Sequence, residues 1–283
     1  PGIETTTGPL GQGISNGVGF ALAEKILAEH FNRDRLDIVN HNTWVFLGDG
    51  CLMEGISHEA CSLAGTLQLG KLIAIWDDNG ISIDGDVKGW FTDDTPARFQ
   101  AYGWQVIEGV DGHDSNSIKK AIETAISETE KPSLICCRTV IGWGSPNKRG
   151  KEACHGAPLG EDEINLTRDA IDWPHPPFVI PSEIYAAWDA TERGLRLESE
   201  WDSKFLKYSQ SFPESAIEFT RRILGELTSD WKEIVKNHLD EVSKKCETLA
   251  SRKSSQLVLE KLAPHLPELI GGSADLTGSN LTT

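Results

Sequence analysis

The sequence predicts an α/β fold, a parallel sheet flanked by helices, on three observations. Short apolar runs at 43–47, 72–76, 104–110 and 133–140 have the length and the β-branched or aromatic content of strands. Between them lie segments with apolar residues at helical spacing, and such alternation implies right-handed crossovers into a parallel sheet. The first two runs end in short polar residues, Gly48-Asp49-Gly50 and Asp77-Asp78-Asn79-Gly80. In open sheets of this kind, ligands bind beyond the carboxyl ends of the strands.

Taken in order, Thr5-Thr6-Thr7-Gly8-Pro9-Leu10-Gly11-Gln12-Gly13 is a loop leading into a helix marked by Ile14, Val18, Leu22 and Ile26. A Gly-rich approach to a helix N-terminus is an anion site, because free N–H groups point outward; glycines that merely ease helix packing are the alternative. Gly13-Ile14-Ser15-Asn16-Gly17 matches the nucleophile-elbow pattern, but no strand runs into Ser15. A dinucleotide fingerprint fails by one residue at Gly11, Gly13 and Gly17. Residues 32–42 are a charged loop, and a helix is expected over 55–67 with Ile56, Ala60, Leu63, Ala64 and Leu67 on one face. Glu54 and Glu59 fall near its first turn, where the helix dipole favours carboxylates.

The acidic stretch after Asn79 fails as a calcium loop, since Lys88 and Thr95 stand where oxygen ligands are required. Helices are expected over 95–102 and after Asp114 or Ser115, the latter burying Ile118, Ala121, Ile122 and Ala125. The apolar run 133–140 suits a strand covered on both faces. His113, alone before a capped helix, reads as structural. Residues 141–160 form a long Gly/Pro loop, and loops of that length often cover active sites. Past the Pro-rich stretch at 173–177, helices over 183–208 and 213–250 read as a linker over the outside of the sheet; a helix follows at 251–262 and a short strand at 269–275.

Composition excludes several classes. A net charge of −16 argues against a nucleic-acid surface. Six cysteines, with no C-x-x-C spacing, read as reduced thiols of an intracellular protein. No apolar stretch approaches the roughly 20 residues of a membrane span, and no leader opens the chain. Pro1 at one end and Gly271-Gly272-Ser273-Ala274-Asp275 running on to Thr283 at the other lead to the expectation of an internal piece of a longer protein.

Asp49 and Asn79 offer hard oxygen atoms, which suit Mg²⁺ held partly by a ligand's phosphates; a plain Asn-Gly turn is the alternative at Asn79. Gly-Asp-Gly followed by Asn about thirty residues later resembles the thiamine-diphosphate motif. Its surroundings, Gly50-Cys51-Leu52-Met53-Glu54-Gly55-Ile56-Ser57-His58-Glu59, Asp78-Asn79-Gly80-Ile81-Ser82-Ile83-Asp84-Gly85, Trp90-Phe91-Thr92-Asp93-Asp94 and His155-Gly156-Ala157-Pro158-Leu159-Gly160, resemble the transketolase family. The resemblance runs from Thr5 to the end and is weakest over 172–245.

It implies a diphosphate-binding domain at 1–225 with a helical extension, a linker at 226–247, and the beginning of a pyrimidine-binding α/β domain at 248–283. Thiamine diphosphate and Mg²⁺, with Ca²⁺ or Mn²⁺ as alternative ions, are the implied cofactors. The metal ligands would be Asp49, Asn79 and the Ile81 carbonyl. Gly8, Pro9, Leu10, Gly50, Glu54 and His155 would contact the cofactor, with Glu54 and Glu59 at a homodimer interface near its pyrimidine half. His155 is the implied catalytic residue and contacts the sugar donor; a satisfied loop histidine is the alternative. Arg252 and Ser279 match positions that bind the sugar's phosphate, although Thr277-Gly278 departs from the family's local pattern and surface solvation competes for Arg252. The implied activity is transfer of a glycolaldehyde unit from a ketose phosphate to an aldose phosphate through the cofactor's C2 carbanion, in a cytoplasmic enzyme of the pentose phosphate pathway or Calvin cycle. The family's activating glutamate lies past Thr283, so the fragment alone is expected to be inactive. Dihydroxyacetone synthase, 1-deoxyxylulose-5-phosphate synthase and a non-catalytic relative stay open as alternatives.

Overall fold

A computed structural model describes residues 2–282. Four strands, β1 (Thr43–Gly48), β2 (Leu72–Asp78), β5 (Gln105–Asp111) and β6 (Ser133–Arg138), form one sheet in the order β1-β2-β6-β5. Every pairing is parallel, with Thr43 opposite Leu72, Ile73 opposite Ser133 and Gln105 opposite Ser133. A two-residue pair, β3 (Ile81–Ser82) and β4 (Gly85–Asp86), forms a small hairpin after β2.

Helices α1 (Gln12–Phe31), α2 (Asp49–Met53), α3 (Gly55–Thr66), α4 (Thr95–Ala101) and α5 (Ser115–Ser127) surround the sheet. The chain steps from β1 to β2 by way of α2 and α3, and passes to the far edge at β5 by way of α4. It then returns through α5 to β6. Right-handed crossovers that progress in opposite directions put their helices on opposite faces, and the cores show this. Ile14, Val18, Cys61, Ala64 and Phe99 pack with Val45, Leu47, Leu72, Ala74, Trp76, Leu134 and Cys136 on one face. Ala121 and Ala125 pack with Ile73, Val110, Ile135 and Cys137 on the other. The reversal falls between β2 and β6, so the switch point opens beside the end of β2.

Alternation within strands explains both layers, because successive side chains point to opposite faces. Leu72, Ala74 and Trp76 enter one core while Ile73 enters the other. The prediction for 133–140 holds in the same way, with Leu134 and Cys136 against Ile135 and Cys137. Each fully buried side chain of this kind stabilises by about 1.5–3 kcal/mol. Burial pushes the Cys61 and Cys136 thiols up to about 12, which fits inert core cysteines. Close packing of α1 depends on Gly17, where a Cβ would lie 2.4 Å from Val45 Cγ2.

Several boundaries move. The Gly48-Asp49-Gly50 turn is the start of a helix, with Gly48 as N-cap and Asp49 its first residue. Strand β2 runs on to Asp78, because Asp77 and Asp78 continue the ladder with Cys137 and Arg138. Asp94 caps α4 through its carboxylate, and of the two candidates Asp114 and Ser115 it is Asp114 that caps α5.

Beyond β6 lie α6 (Glu161–Ala170), α7 (Ser182–Trp188), α8 (Thr191–Ser211), α9 (Pro213–Ile223), α10 (Trp231–Lys245), α11 (Ser251–Leu262) and α12 (Thr277–Asn280). The chain divides into two compact units, one ending at Glu198 and one beginning at Ser199. Within the second, Trp201, Phe205, Tyr208 and Phe212 recur at helical spacing; the first three rings stack in sequence, Phe212 tilts against Tyr208, and Phe205 lies 5.6 Å from Phe219. Arg221 joins Glu218 at 2.7 Å and Glu268 at 3.1 Å. The strand expected at 269–275 does not form; a strand needs a neighbour for its backbone groups, and none pairs with this segment among the described residues. No helix among the described residues is long and apolar enough to cross a membrane.

Candidate active site

Asp49 sits where β1 becomes α2, and the parallel alignment of β1 and β2 brings the end of β2 beside it. Its Oδ1 accepts from the Trp76 indole Nε1–H at 3.1 Å and its Oδ2 from the Gly80 N–H at 2.9 Å. Asp49 is 4% exposed, and burial raises its pKa. The two hydrogen bonds oppose that rise, while the charges of Asp78 and Asp77 add to it. Only one cation pairs within this acidic corner among the described residues, Arg138 on Asp78 at 2.8 Å. Thr139 Oγ1 and Asn79 Nδ2 donate to Asp77. Asn79 Oδ1 in turn accepts the Ile81 N–H at 2.9 Å, which holds the amide oxygen at the turn. Asp49, Asn79 and Ile81 therefore belong to one hydrogen-bonded corner.

The glycine-rich opening loop packs against the same corner. A Cβ at Gly50 would lie 3.0 Å from Leu10 Cδ1, and one at Gly11 would lie 2.9 Å from Glu54 Cβ and 2.8 Å from Ile56 Cγ2. Gly11, at φ 81°, thus needs both the left-handed conformation and the bare Cα. Gly8, Pro9 and Leu10 are exposed just ahead of it. Ser57 Oγ donates to the Cys51 carbonyl at 2.5 Å and Arg98 Nη2 to the Leu52 carbonyl at 3.2 Å, tying the end of α2 to α3 and α4. Glu54 is the N-cap residue of α3, is exposed, and makes no side-chain capping bond.

His155 lies in the loop after β6, exposed, with its backbone N–H bonded to the Glu152 carbonyl at 2.8 Å. No hydrogen bond from its imidazole is formed among the described residues. His113, by contrast, is structural: its Nε2 accepts the Val140 N–H at 2.9 Å and its ring stacks on Trp143 at 4.0 Å. In the second unit, Arg252 on α11 reaches the Ser279 carbonyl at 3.4 Å, so those two positions adjoin.

Two participants escaped sequence reasoning. Trp76 is a donor to Asp49, and its one signal is an indole in an otherwise aliphatic run directly ahead of Asp77. Glu163 accepts from Ser145 and Asn147 across the loop. Its place among Glu161, Asp162 and Glu163 in the first turn of α6 gives no hint of that.

A parallel α/β sheet with a carboxylate and an amide at adjoining strand ends, faced by a glycine-rich helix approach, defines a diphosphate-binding domain. Residues 1–228 match the family model described as "Transketolase, thiamine diphosphate binding domain". The chain belongs to the transketolase family. It is 60% identical over 282 residues to Transketolase 1 of Vibrio cholerae, with 100% of this chain covered, and 60% identical over 281 residues to Transketolase 1 of Escherichia coli K12, with 99% covered. Among solved structures it is similar to a Pichia stipitis transketolase complexed with sedoheptulose-7-phosphate, at TM-score 0.88 and 44% identity. All of this chain and 42% of that one are covered. A Leishmania mexicana transketolase matches at TM-score 0.88 and 41% identity, with 100% of this chain and 42% of that one covered. The chain spans 42% of the length of the two bacterial relatives as well.

Proposed function

We propose that this chain is the diphosphate-binding part of a transketolase that moves a two-carbon glycolaldehyde unit from a ketose phosphate to an aldose phosphate. The observation that carries this reading is the corner of Asp49, Gly80, Asn79 and Ile81, with the Gly8–Leu10 loop packed on it. The donor set fits a hard divalent cation such as Mg²⁺: Asp49, Asn79 and the Ile81 carbonyl offer oxygen only, and among the described residues no cation pairs with the buried Asp49 charge. Among the described residues no three His, Cys, Asp or Glu side chains form a metal cluster. When bound, thiamine diphosphate supplies the carbon nucleophile, and the protein supplies orientation and electrostatics.

Gly8, Pro9, Leu10 and Gly50 let the backbone approach the diphosphate, while Glu54 faces the pyrimidine half at the interface of a homodimer. The free imidazole of His155 hydrogen-bonds the donor sugar and the cofactor. Arg252 and Ser279 take the sugar's phosphate. In this reading residues 1–225, 226–247 and 248–283 are the diphosphate-binding domain, the linker and the start of the pyrimidine-binding domain, in a cytoplasmic enzyme.

The test is calorimetric titration of thiamine diphosphate, with and without Mg²⁺, into this chain and into a full-length transketolase carrying it. Binding that requires Mg²⁺ and weakens about 100-fold or more in Asp49→Ala is the expected result, since even outer-shell partners of metals contribute 10–100-fold. Metal-independent binding, or an unaffected variant, would sink the assignment of Asp49.

A further inference from the structure

The loop from Ile141 to Gly160 is held by a frame that leaves one imidazole free. Glu163, 7% exposed on the first turn of α6, accepts from Ser145 Oγ, from the Asn147 N–H at 2.8 Å and from Asn147 Nδ2 at 2.9 Å. Ser145 Oγ accepts the Lys148 N–H at 3.1 Å. Lys148 then grips both flanks of His155. Its carbonyl accepts from the Cys154 thiol at 3.4 Å, one residue before, and its Nζ donates to the Leu159 carbonyl at 2.8 Å, four residues after. The base of the loop closes through Gly150 N–H to the Ile141 carbonyl at 2.7 Å. A Cβ at Gly144 would lie 2.4 Å from Ile171 Cγ2, so the loop also rests on the end of α6.

We propose that Glu163 and Lys148 are positioning residues that fix the His155 loop before substrate arrives, so that it acts as a rigid mount for His155 and not as a lid that orders on binding. The reasoning is energetic. A loop with few internal bonds would order on binding and weaken affinity by that entropy. Here the backbone amides of Asn147, Lys148, Gly150, Cys154 and His155 all find their partners within the loop and α6. Holding a reacting group in place ahead of binding is what lowers the barrier for an oriented encounter. The inference rests on the reading of His155 as a contact of the donor sugar.

The experiment uses a full-length transketolase carrying this segment, with Glu163→Ala, Glu163→Gln and Lys148→Met. Hydrogen–deuterium exchange is followed without cofactor or sugar, and donor KM, kcat and cofactor affinity are measured alongside. Protection of the loop amides in the ligand-free wild type, exchange at least about tenfold faster in Glu163→Ala and Lys148→Met, and donor KM raised about tenfold with cofactor affinity within about twofold would bear it out. Glu163→Gln restores both readouts only in part, because its amide oxygen still accepts from the loop while the charge that favours all three bonds is gone. Unprotected loop amides in the ligand-free wild type would overturn it. So would faster exchange without a change in donor KM. A wild type that transfers no sugar unit would instead defeat the functional reading, and shows itself before any variant is compared.

Discussion

Two buried carboxylates in this chain are pushed in opposite directions. Asp49 at the end of β1 is raised by burial, with one indole and one backbone N–H in partial relief and two neighbouring aspartates working against it. Glu163 on α6 is lowered from 4.5 to about 2, chiefly by the Ser145 hydroxyl, then by the Asn147 side chain and backbone. Both are nearly inaccessible, at 4% and 7% exposure. The difference lies in what surrounds them. Glu163 has its donors from its own protein and is finished as a structural rivet. Asp49 has two donors that only partly offset its burial, and under the proposed function a cation would supply the rest.

Removing charge without changing shape should separate the two most sharply. Asp49→Asn keeps an acceptor for the Gly80 N–H, yet metal-dependent binding of thiamine diphosphate should weaken by about tenfold or more. Glu163→Gln should leave that affinity within about twofold, both read by calorimetry. Equal losses would erase the contrast. Trp76→Phe keeps the aromatic core but deletes the indole donor to Asp49, and should weaken metal-dependent binding by up to about tenfold. It should also cost about 1 kcal/mol of stability by denaturant unfolding. An unchanged affinity would mean that the indole merely tolerates the carboxylate.

The Glu163 rivet carries a pH signature with a definite sign. Its folded pKa lies below its ordinary value, so its contribution is fully present above about pH 4.5 and is lost as pH falls towards about 2. Once exchange rates are corrected for intrinsic pH dependence, the protection factors of the 145–150 amides should be flat from pH 8 to 5 and fall only below that. Loss of protection near neutral pH would assign the loop to another group. The smallest effect is expected from Ser145→Ala, which removes one donor to Glu163 and the acceptor of the Lys148 N–H while Asn147 stays in place. Loop exchange should quicken a few-fold, less than in Glu163→Ala.

How far the sequence carried can be judged residue by residue. That Asp49 and Asn79 adjoin was legible because strand-length apolar runs end just ahead of them, and parallel strand ends must share one edge of the sheet; Ile81 was placed by resemblance. Leu10 and Gly50 were placed by resemblance, and only the packing shows that they adjoin. Trp76 and Glu163 were not legible as partners, since the first bond spans 27 residues and the second 18. The strand expected at 269–275 failed because its apolar residues describe a preference, whereas a strand is a relation between segments.

The sequence by itself determined the alternation of strands and helices, a cap at Asp114 or Ser115, the two-faced apolar run of β6 and the polar residues at the ends of β1 and β2. These are local properties of periodicity and side-chain chemistry. Only the tertiary structure decided the order β1-β2-β6-β5, the switch point it opens beside Asn79, and which carboxylate is lowered by its donors and which is raised by burial. Those depend on donors brought from distant parts of the chain, and a carboxylate's charge is set by its neighbours in space.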